Sequence, residues 1–540
     1  MGSLTKKIGL FLGLFAIIGL AISTGVSEFK VDSMTFHLAS DYVNISSNAD
    51  LMKFKGSGTA DDPYIIDGLN LNNHIGNGIA IRNTDAYILI KNCTMANLTG
   101  NYYGLYDVNG INIDDAKNVR VENCRLSGSG SSLSVSSAEN IQITNYRGEN
   151  IMFNGVKNGL IENCNSEHIL VQEKIELMSS PRVTTDFMPE TSVPSQNCLI
   201  KDCKPAYEIV LLSPKNCIVE NCYVKDGWLM AFTPINTSFT NSTVVNATME
   251  MDFSSNTTLE NMTLVDLKGI NLGGFSPESY SPVVKNSTAN GEKIYYYHDQ
   301  KGLHLENLTA GYIWLVDCPE TRIEGVEAGG IFAINSNSST IEGSKANQII
   351  LALSKDVLIA NNTLRGSSAR EAIKLDTGTS NITLYHNIIT KSERYFGENL
   401  FASGIDASQS DGNNTFENNI ITDSGYGIQA GGNNTFTGNT IANNIVGIKV
   451  SGNNNRVTQN NFIYNGVDAE QSSYMNISFA NNIWDGNFWA TYKGVEKDKT
   501  GLGSTPYVEN IPFPRPCEPS PQVQEPVIDK VPSIVPISKT

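Results

Sequence analysis

Apolar positions along this chain come in very short runs that alternate with polar ones, and Gly, Asn and Ser separate the runs. No run holds a 3.6-residue period long enough for a helix, so the pattern predicts many short strands joined by tight turns. One phrase recurs: an apolar residue, any residue, Asn or Asp, then Cys or Asn. It stands as Ile90-Lys91-Asn92-Cys93, Val121-Glu122-Asn123-Cys124, Ile161-Glu162-Asn163-Cys164, Ile200-Lys201-Asp202-Cys203 and Val219-Glu220-Asn221-Cys222. Later copies close on Asn362, Asn387, Asn419, Asn439, Asn460 and Asn482. A second phrase precedes several copies: Gly404-Ile405, Gly427-Ile428, Gly447-Ile448 and Gly466-Val467.

A unit of about 22 residues cannot bury its own apolar side chains, but stacked units can. A leucine-rich repeat would need a regular Leu framework, which the copies lack. The prediction is an all-β chain, a single right-handed parallel β-helix (a solenoid) of about nineteen coils with capped ends. At ~4.8 Å per coil the stack is on the order of 90 Å long. The expected organisation is a leader over 1–27, an N-terminal cap over 28–60, the β-helix over 61–488, a C-terminal cap over 489–511 and a Pro-rich tail over 512–540. In stacked coils each turn position lies above itself. Asn362, Asn387, Asn419, Asn439, Asn460 and Asn482 should therefore form a column whose amides bond turn backbone and the next coil. Cys93, Cys124, Cys164, Cys203 and Cys222 occupy the same column earlier in the chain.

The nine cysteines allow three readings: buried ladder thiols, disulfides, or a thiolate metal site. Cys198 and Cys217 should stack in adjacent coils, as should Cys203 and Cys222. Parallel Cβ directions there hold the Cβ atoms slightly too far apart for a bridge, so ladder thiols are the expectation.

Charge narrows the partners. With 38 Lys+Arg against 55 Asp+Glu, the formal charge of −17 argues against nucleic acid or an anionic membrane surface. Lys6 and Lys7 precede an uncharged run from Ile8 to Ile22, with Ala21, Ser23 and Gly25 at its end. This pattern reads as a secretory signal peptide, an uncleaved anchor being the alternative. No second long apolar stretch follows, so the mature chain should lack a membrane span and lie at a cell surface, in a periplasm-like space or outside the cell. Eight prolines between Pro512 and Pro536 predict an extended, semi-rigid tail.

The stretch from Gly56 to Asn73, Gly-Ser-Gly-Thr-Ala-Asp-Asp-Pro-Tyr-Ile-Ile-Asp-Gly-Leu-Asn-Leu-Asn-Asn, resembles the opening cap of archaeal exported β-helix proteins of the NosD-like class. The repeats from 404 to 482 are similar to that class too. So are Asn482-Ile483-Trp484-Asp485-Gly486-Asn487-Phe488-Trp489 and Gly501-Leu502-Gly503-Ser504-Thr505-Pro506-Tyr507. The resemblance implies a cell-surface or periplasmic protein, with copper handling as one associated role. The class also tends to carry an Asp-rich closing segment that could hold calcium. Here that run is thinned to Glu496, Lys497, Asp498, Lys499 and Thr500, which weakens a calcium site.

Candidate chemistry follows three lines. For copper, only His298 and His304 among the six His are close in sequence, and Met249 and Met251 alternate on one strand. For glycoside chemistry, Asn83-Thr84-Asp85 and Asp114-Asp115 resemble polygalacturonase motifs, but the Gly-His-Gly and Arg-Ile-Lys that complete that site are missing. Asp114 and Asp115 remain candidate carboxylates, with Asp406 and Asp468. For binding, the residue two places after each Gly of the second phrase, or after its equivalent Ala372, gives Lys374, Asp406, Gln429, Lys449 and Asp468. These predict an outward polar row suited to an extended glycan or another cell-surface component. A solvated face of alternating charges is the bland alternative. Sequons at Asn44, Asn97, Asn246, Asn256, Asn381, Asn413, Asn433 and Asn476 make glycosylation a further expectation.

Overall fold

In the computed structural model the chain winds as a parallel β-helix. It describes residues 28–31, 34–37, 42–99, 108–130, 132–175, 192–280, 282–366, 371–390, 402–473, 481–495, 502, 505–509, 523–525 and 527–537. The winding makes about 17 turns, slightly fewer than expected. Insertions explain the difference, since Leu160 pairs with Leu199 and Leu384 with Phe416, both steps longer than 22 residues.

One late coil shows the plan. Tyr426–Ala430 forms the first face, Thr435–Thr437 the second and Thr440–Ala442 the third, before Val446–Val450 starts the next coil. Side chains alternate, so Ile428, Phe436 and Ile441 point inward with no exposed surface. Equivalent residues stack: Phe416 lies on Phe436 with ring centroids 4.6 Å apart. The Gly of the Gly-Ile phrase has a packing reason. A Cβ on Gly427 would lie 2.4 Å from the carbonyl oxygen of Gly447, and one on Gly447 would lie 2.3 Å from that of Asp468.

The corner between the second and third faces needs a left-handed residue, which Asn supplies at Asn92, Asn123, Asn163, Asn221 and Asn361 with φ between 51° and 55°. The next position turns inward; it is Cys in most early coils and Asn in the late ones, with Tyr146, Ser242, Met262 and Val326 taking it in between. Asn387 Oδ1 accepts from the backbone N–H and Nδ2 of Asn362, both at 3.0 Å, and the pattern repeats through Asn419, Asn439 and Asn460. Each Nδ2 also donates to a core-strand carbonyl, as Asn439 does to Phe416 at 2.8 Å. The column ends on Asn487 rather than on the expected Asn482. Asn482 belongs to a second column with Asn414, Asn434 and Asn455, at the corner before the second face. The phrase misled here because two corners of the last coil both carry Asn.

Eight cysteines are described, and all are buried free thiols. Contact with a neighbouring thiol, and then burial, push Cys124, Cys164, Cys198 and Cys222 far above the ordinary thiol range. Cys517 lies outside the described residues, as do the leader 1–27, Glu496 to Thr500 and the sequon at Asn476.

The parallel ladder is interrupted once among the described residues. Thr288–Ala289 pairs antiparallel with the start of Glu292–His298, and parallel pairing then resumes with Ile294 against Tyr312. The core of the first run of coils is continuous with the outer face of the second, through Tyr312, Trp314, Phe332, Ile334, Ile350 and Ala352. The inward partners Ile313, Leu315, Ile331, Ala333, Ile349 and Leu351 belong to the second core. These strands are thus buried on both sides, and the first core is covered where its ladder stops.

The far end is also covered. Val527–Asp529 pairs antiparallel with Tyr507–Glu509, and Val523–Glu525 with Gln471 to Ser473. The fully buried Asp529 accepts from Asn487 N–H at 2.9 Å, Asn487 Nδ2 at 3.0 Å and Trp489 Nε1 at 3.1 Å. A carboxylate therefore terminates the Asn column. Residues 527–537 lie on the last coil, whereas the sequence assigns them to an extended tail.

Candidate functional site

The polar row predicted on the first face is largely assembled. Lys374 pairs with Asp406, Asp406 with Gln429 and Gln429 with Lys449, each in register. The fifth member is Glu470, not Asp468, because Lys449 pairs with Glu470. Gly466 does not take the place of Gly447: Val446 faces Val467, so the phrase is shifted by one residue there. Asp468 is instead buried and accepts from Asn465 Nδ2 at 2.9 Å and Thr491 Oγ1 at 3.4 Å.

The row is not a solvated face. Lys374, Asp406 and Gln429 are half-buried, and Lys449 and Glu470 are buried. Lys374 pairs with Asp376 at 2.7 Å. Burial opposes the Lys374 charge, but Asp376, with Glu371 and Asp406, holds its ammonium above the usual lysine range. Gln429 Nε2 donates to Ser403 Oγ at 2.6 Å, and the Lys449 ammonium sits 5.6 Å from the Tyr426 ring centre. The row begins where the covered apolar column Trp314, Phe332 and Ile350 ends, since Ile350 pairs with Lys374.

The candidate carboxylates do not converge. Asp114 is half-buried between Arg82 and Ser136, and Asp115 is exposed at a corner with φ 48°. Both lie in the first run, whereas Asp406 and Asp468 lie in the second. The two histidines separate as well. His298 ends a first-face strand with Nε2 3.6 Å from Asp317, and His304 starts a second-face strand. His304 Nε2 lies 3.7 Å from Glu306 and 3.6 Å from Glu324, the one group of three possible metal ligands among the described residues. Arg322 Nε also engages Glu324 at 3.0 Å. Met249 and Met251 are fully buried in the core, so their thioethers are not offered to solvent.

A second surface on the first face, in the first run, has no counterpart in the repeated phrases. His168 Nδ1 lies 2.9 Å from Glu208 Oε1, and its ring stacks on Tyr207 at 5.4 Å and 19°. Glu208 pairs in register with Trp228. Tyr207 is 52% exposed and Trp228 37%, so both rings are open to a ligand. Val210 and Met230 extend the surface along the same strands, and Glu250 accepts from Asn271 Nδ2 at 3.2 Å beside them. At the other end of the strands, ~13 Å away at 3.3 Å per residue, the exposed Phe232 and Phe275 are joined through the half-buried Phe253 in a chain of rings. Phe253 occupies a corner at φ 53°, a costly conformation for a bulky side chain, on the order of 1–3 kcal/mol. The cue in the sequence is Trp228-Leu229-Met230-Ala231-Phe232, where the outward positions are apolar as well as the inward ones.

Comparison with known proteins bears on the second run. No curated protein matches the chain. Several solved structures are similar to it at low identity and low structural score. The periplasmic alginate epimerase AlgG is 12% identical over 52% of this chain and 72% of that one, with a TM-score of 0.28. PfbA, a surface adhesin of Streptococcus pneumoniae, is 8% identical over 82% of this chain and 90% of that one, at 0.22. The Azotobacter vinelandii mannuronan C-5 epimerase AlgE6 A-module is 10% identical over 81% and 97%, at 0.19. Residues 284–494, essentially the second run of coils, match the family described as periplasmic copper-binding protein (NosD), the class that the sequence motifs resemble.

Proposed function

We propose that the chain is an exported β-helix that binds an extended glycan at a cell surface. The observation that carries this reading is the open platform of Trp228 and Tyr207 beside the His168–Glu208 pair. Aromatic faces pack against the C–H faces of sugars, while carboxylate and imidazole take hydroxyl hydrogen bonds. A flat sheet presents such groups at coil spacing without a closed pocket. The polar row from Lys374 to Glu470 offers a second register of the same kind. Export is supported by the leader pattern, and among the described residues no helix is long and apolar enough to cross a membrane. Exposed sequons such as Asn256 and Asn433 are open to modification.

The test is a glycan array followed by titration of the ligands found. Trp228→Ala should weaken binding about tenfold or more, at ~1.4 kcal/mol per tenfold, with the melting temperature unchanged. No binding to any glycan, or equal binding by the variant, contradicts the reading. Sugar release from the bound glycan would convert it into the enzymatic alternative, a hydrolase or lyase.

A second reading, copper handling, is favoured by the His304, Glu306 and Glu324 group. Imidazole with carboxylates suits Cu(II) better than Cu(I). Equilibrium dialysis should then show one Cu(II) per chain, lost in His304→Ala; no uptake removes this reading.

A further inference from the structure

We infer that the glycan is an acidic one, recognised by a column of cations beside the platform; this rests on the glycan-binding reading above. Arg125 pairs in register with Arg147, and Arg147 with Asn165 in the next coil. Lys204 follows one coil further, its backbone N–H donating to Cys164 at 3.1 Å. All three cations are exposed. None lies within ion-pair distance of a carboxylate among the described residues. This is unusual for a chain with 55 acidic residues. Elsewhere in the same run Lys91 meets Asp67, Lys117 meets Glu139 and Lys201 meets Glu162. Like charges opposed on neighbouring strands destabilise a sheet, so the Arg125–Arg147 contact costs stability in the free protein.

The surroundings suit an anion carried on a sugar. A groove of about 570 Å³ runs along the column, lined by the corner amides Asn123, Asn145 and Asn163. Asp202 also lines it but lies 4.0 Å from Lys201. Glu149 and Glu167 flank the other side, two residues along the strands, so the cations form one edge of the groove rather than a broad basic field. A guanidinium fork matches the two oxygens of a carboxylate or sulfate. The groove and the platform share strands: Asn165–Gln172 carries Asn165 in the cationic column and His168 in the platform, three residues or ~10 Å apart. A glycan stacked on Tyr207 and Trp228 would bring an acidic substituent within reach of Arg147 and Lys204.

The experiment titrates the full chain with oligogalacturonate, its carboxyl-reduced neutral form, a sulfated oligosaccharide and single-stranded DNA. The expected result is that oligogalacturonate or the sulfated oligomer binds at least about tenfold tighter than the neutral form at low salt, with the preference fading as salt rises. Arg125→Gln with Arg147→Gln should abolish the preference, leave neutral binding intact and melt no lower than the parent. Trp228→Ala should weaken acidic and neutral forms alike. Equal binding of charged and neutral forms overturns the cationic column while the glycan reading stands. Binding of DNA as tight as of the acidic glycan overturns it as mere charge attraction. Binding of none of the four overturns both.

Discussion

Asn439 tests the buried amide column where it is most regular. It has no exposed surface. Its Oδ1 accepts from Asn419 N–H at 2.9 Å and Asn419 Nδ2 at 3.0 Å, and its Nδ2 donates to Phe416 at 2.8 Å and Asn460 Oδ1 at 2.9 Å. In Asn439→Ala two of the partners keep another bond. Asn419 Nδ2 still donates to Leu384, and Asn460 Oδ1 still accepts from the residue 439 backbone. The Asn419 N–H loses its partner, whereas the Phe416 carbonyl loses one of two bonds and keeps its place in the second-face ladder opposite Phe436. One orphaned buried N–H at roughly 1–3 kcal/mol and one further lost bond at about 1 kcal/mol give an expected loss of about 3 kcal/mol. Asn418→Ala is the control, since Asn418 is the outward corner residue at φ 55° and loses chiefly the left-handed preference, about 1 kcal/mol. Denaturant unfolding followed by far-UV circular dichroism reads both, with the slope checked for loss of two-state behaviour. A loss under about 1 kcal/mol for Asn439→Ala, or one no larger than that of Asn418→Ala, would refute the reasoning.

Other consequences are as direct. The eight described cysteines should resist alkylation in the native protein even near pH 9, because every one is buried out of reach of the reagent, and should all react after unfolding; rapid native labelling would contradict the thiol column. Asp529→Ala should release the C-terminal segment, seen as new proteolysis within 523–537, and should cost about 3 kcal/mol or more for the loss of buried bonds to a carboxylate. Phe253→Asn should leave stability unchanged or raise it by about 1 kcal/mol, since Asn suits that corner, while weakening any ligand that uses the Phe232–Phe275 rings.

The winding and its Cys/Asn column were legible in the sequence because the corner geometry favours Asn and the inward position after it is filled by Cys or Asn often enough to recur as a phrase, although Tyr146, Met262 and Val326 take it in other coils. Register was legible only where coils are regular. At the last coil, matching Gly466 to Gly447 put Asp468 in the place of Glu470, and matching Asn482 to Asn460 passed over Asn487. The junction between the two runs does leave a signal in the sequence. Ile331-Phe332-Ala333-Ile334 and Ile349-Ile350-Leu351-Ala352 are unbroken apolar runs, the pattern of strands covered on both faces. The aromatic platform has no phrase of its own, and its members meet only once Glu167, Tyr207 and Trp228 lie in consecutive coils. Asp529 has no local cue at all. Its role follows from the column it closes, which arises from residues about forty positions away.

Every assignment depends on residues about 21 positions apart lying one above the other. Spin labels placed through Asn433→Cys and Asn454→Cys test this directly, because the Asn454 side chain donates to Asn433 at 3.0 Å and both are exposed corners. Adjacent coils at ~4.8 Å predict strong dipolar broadening of the doubly labelled protein relative to the two single labels. Spectra that simply add would contradict the stacked winding, and with it the columns, the platform and the cationic groove.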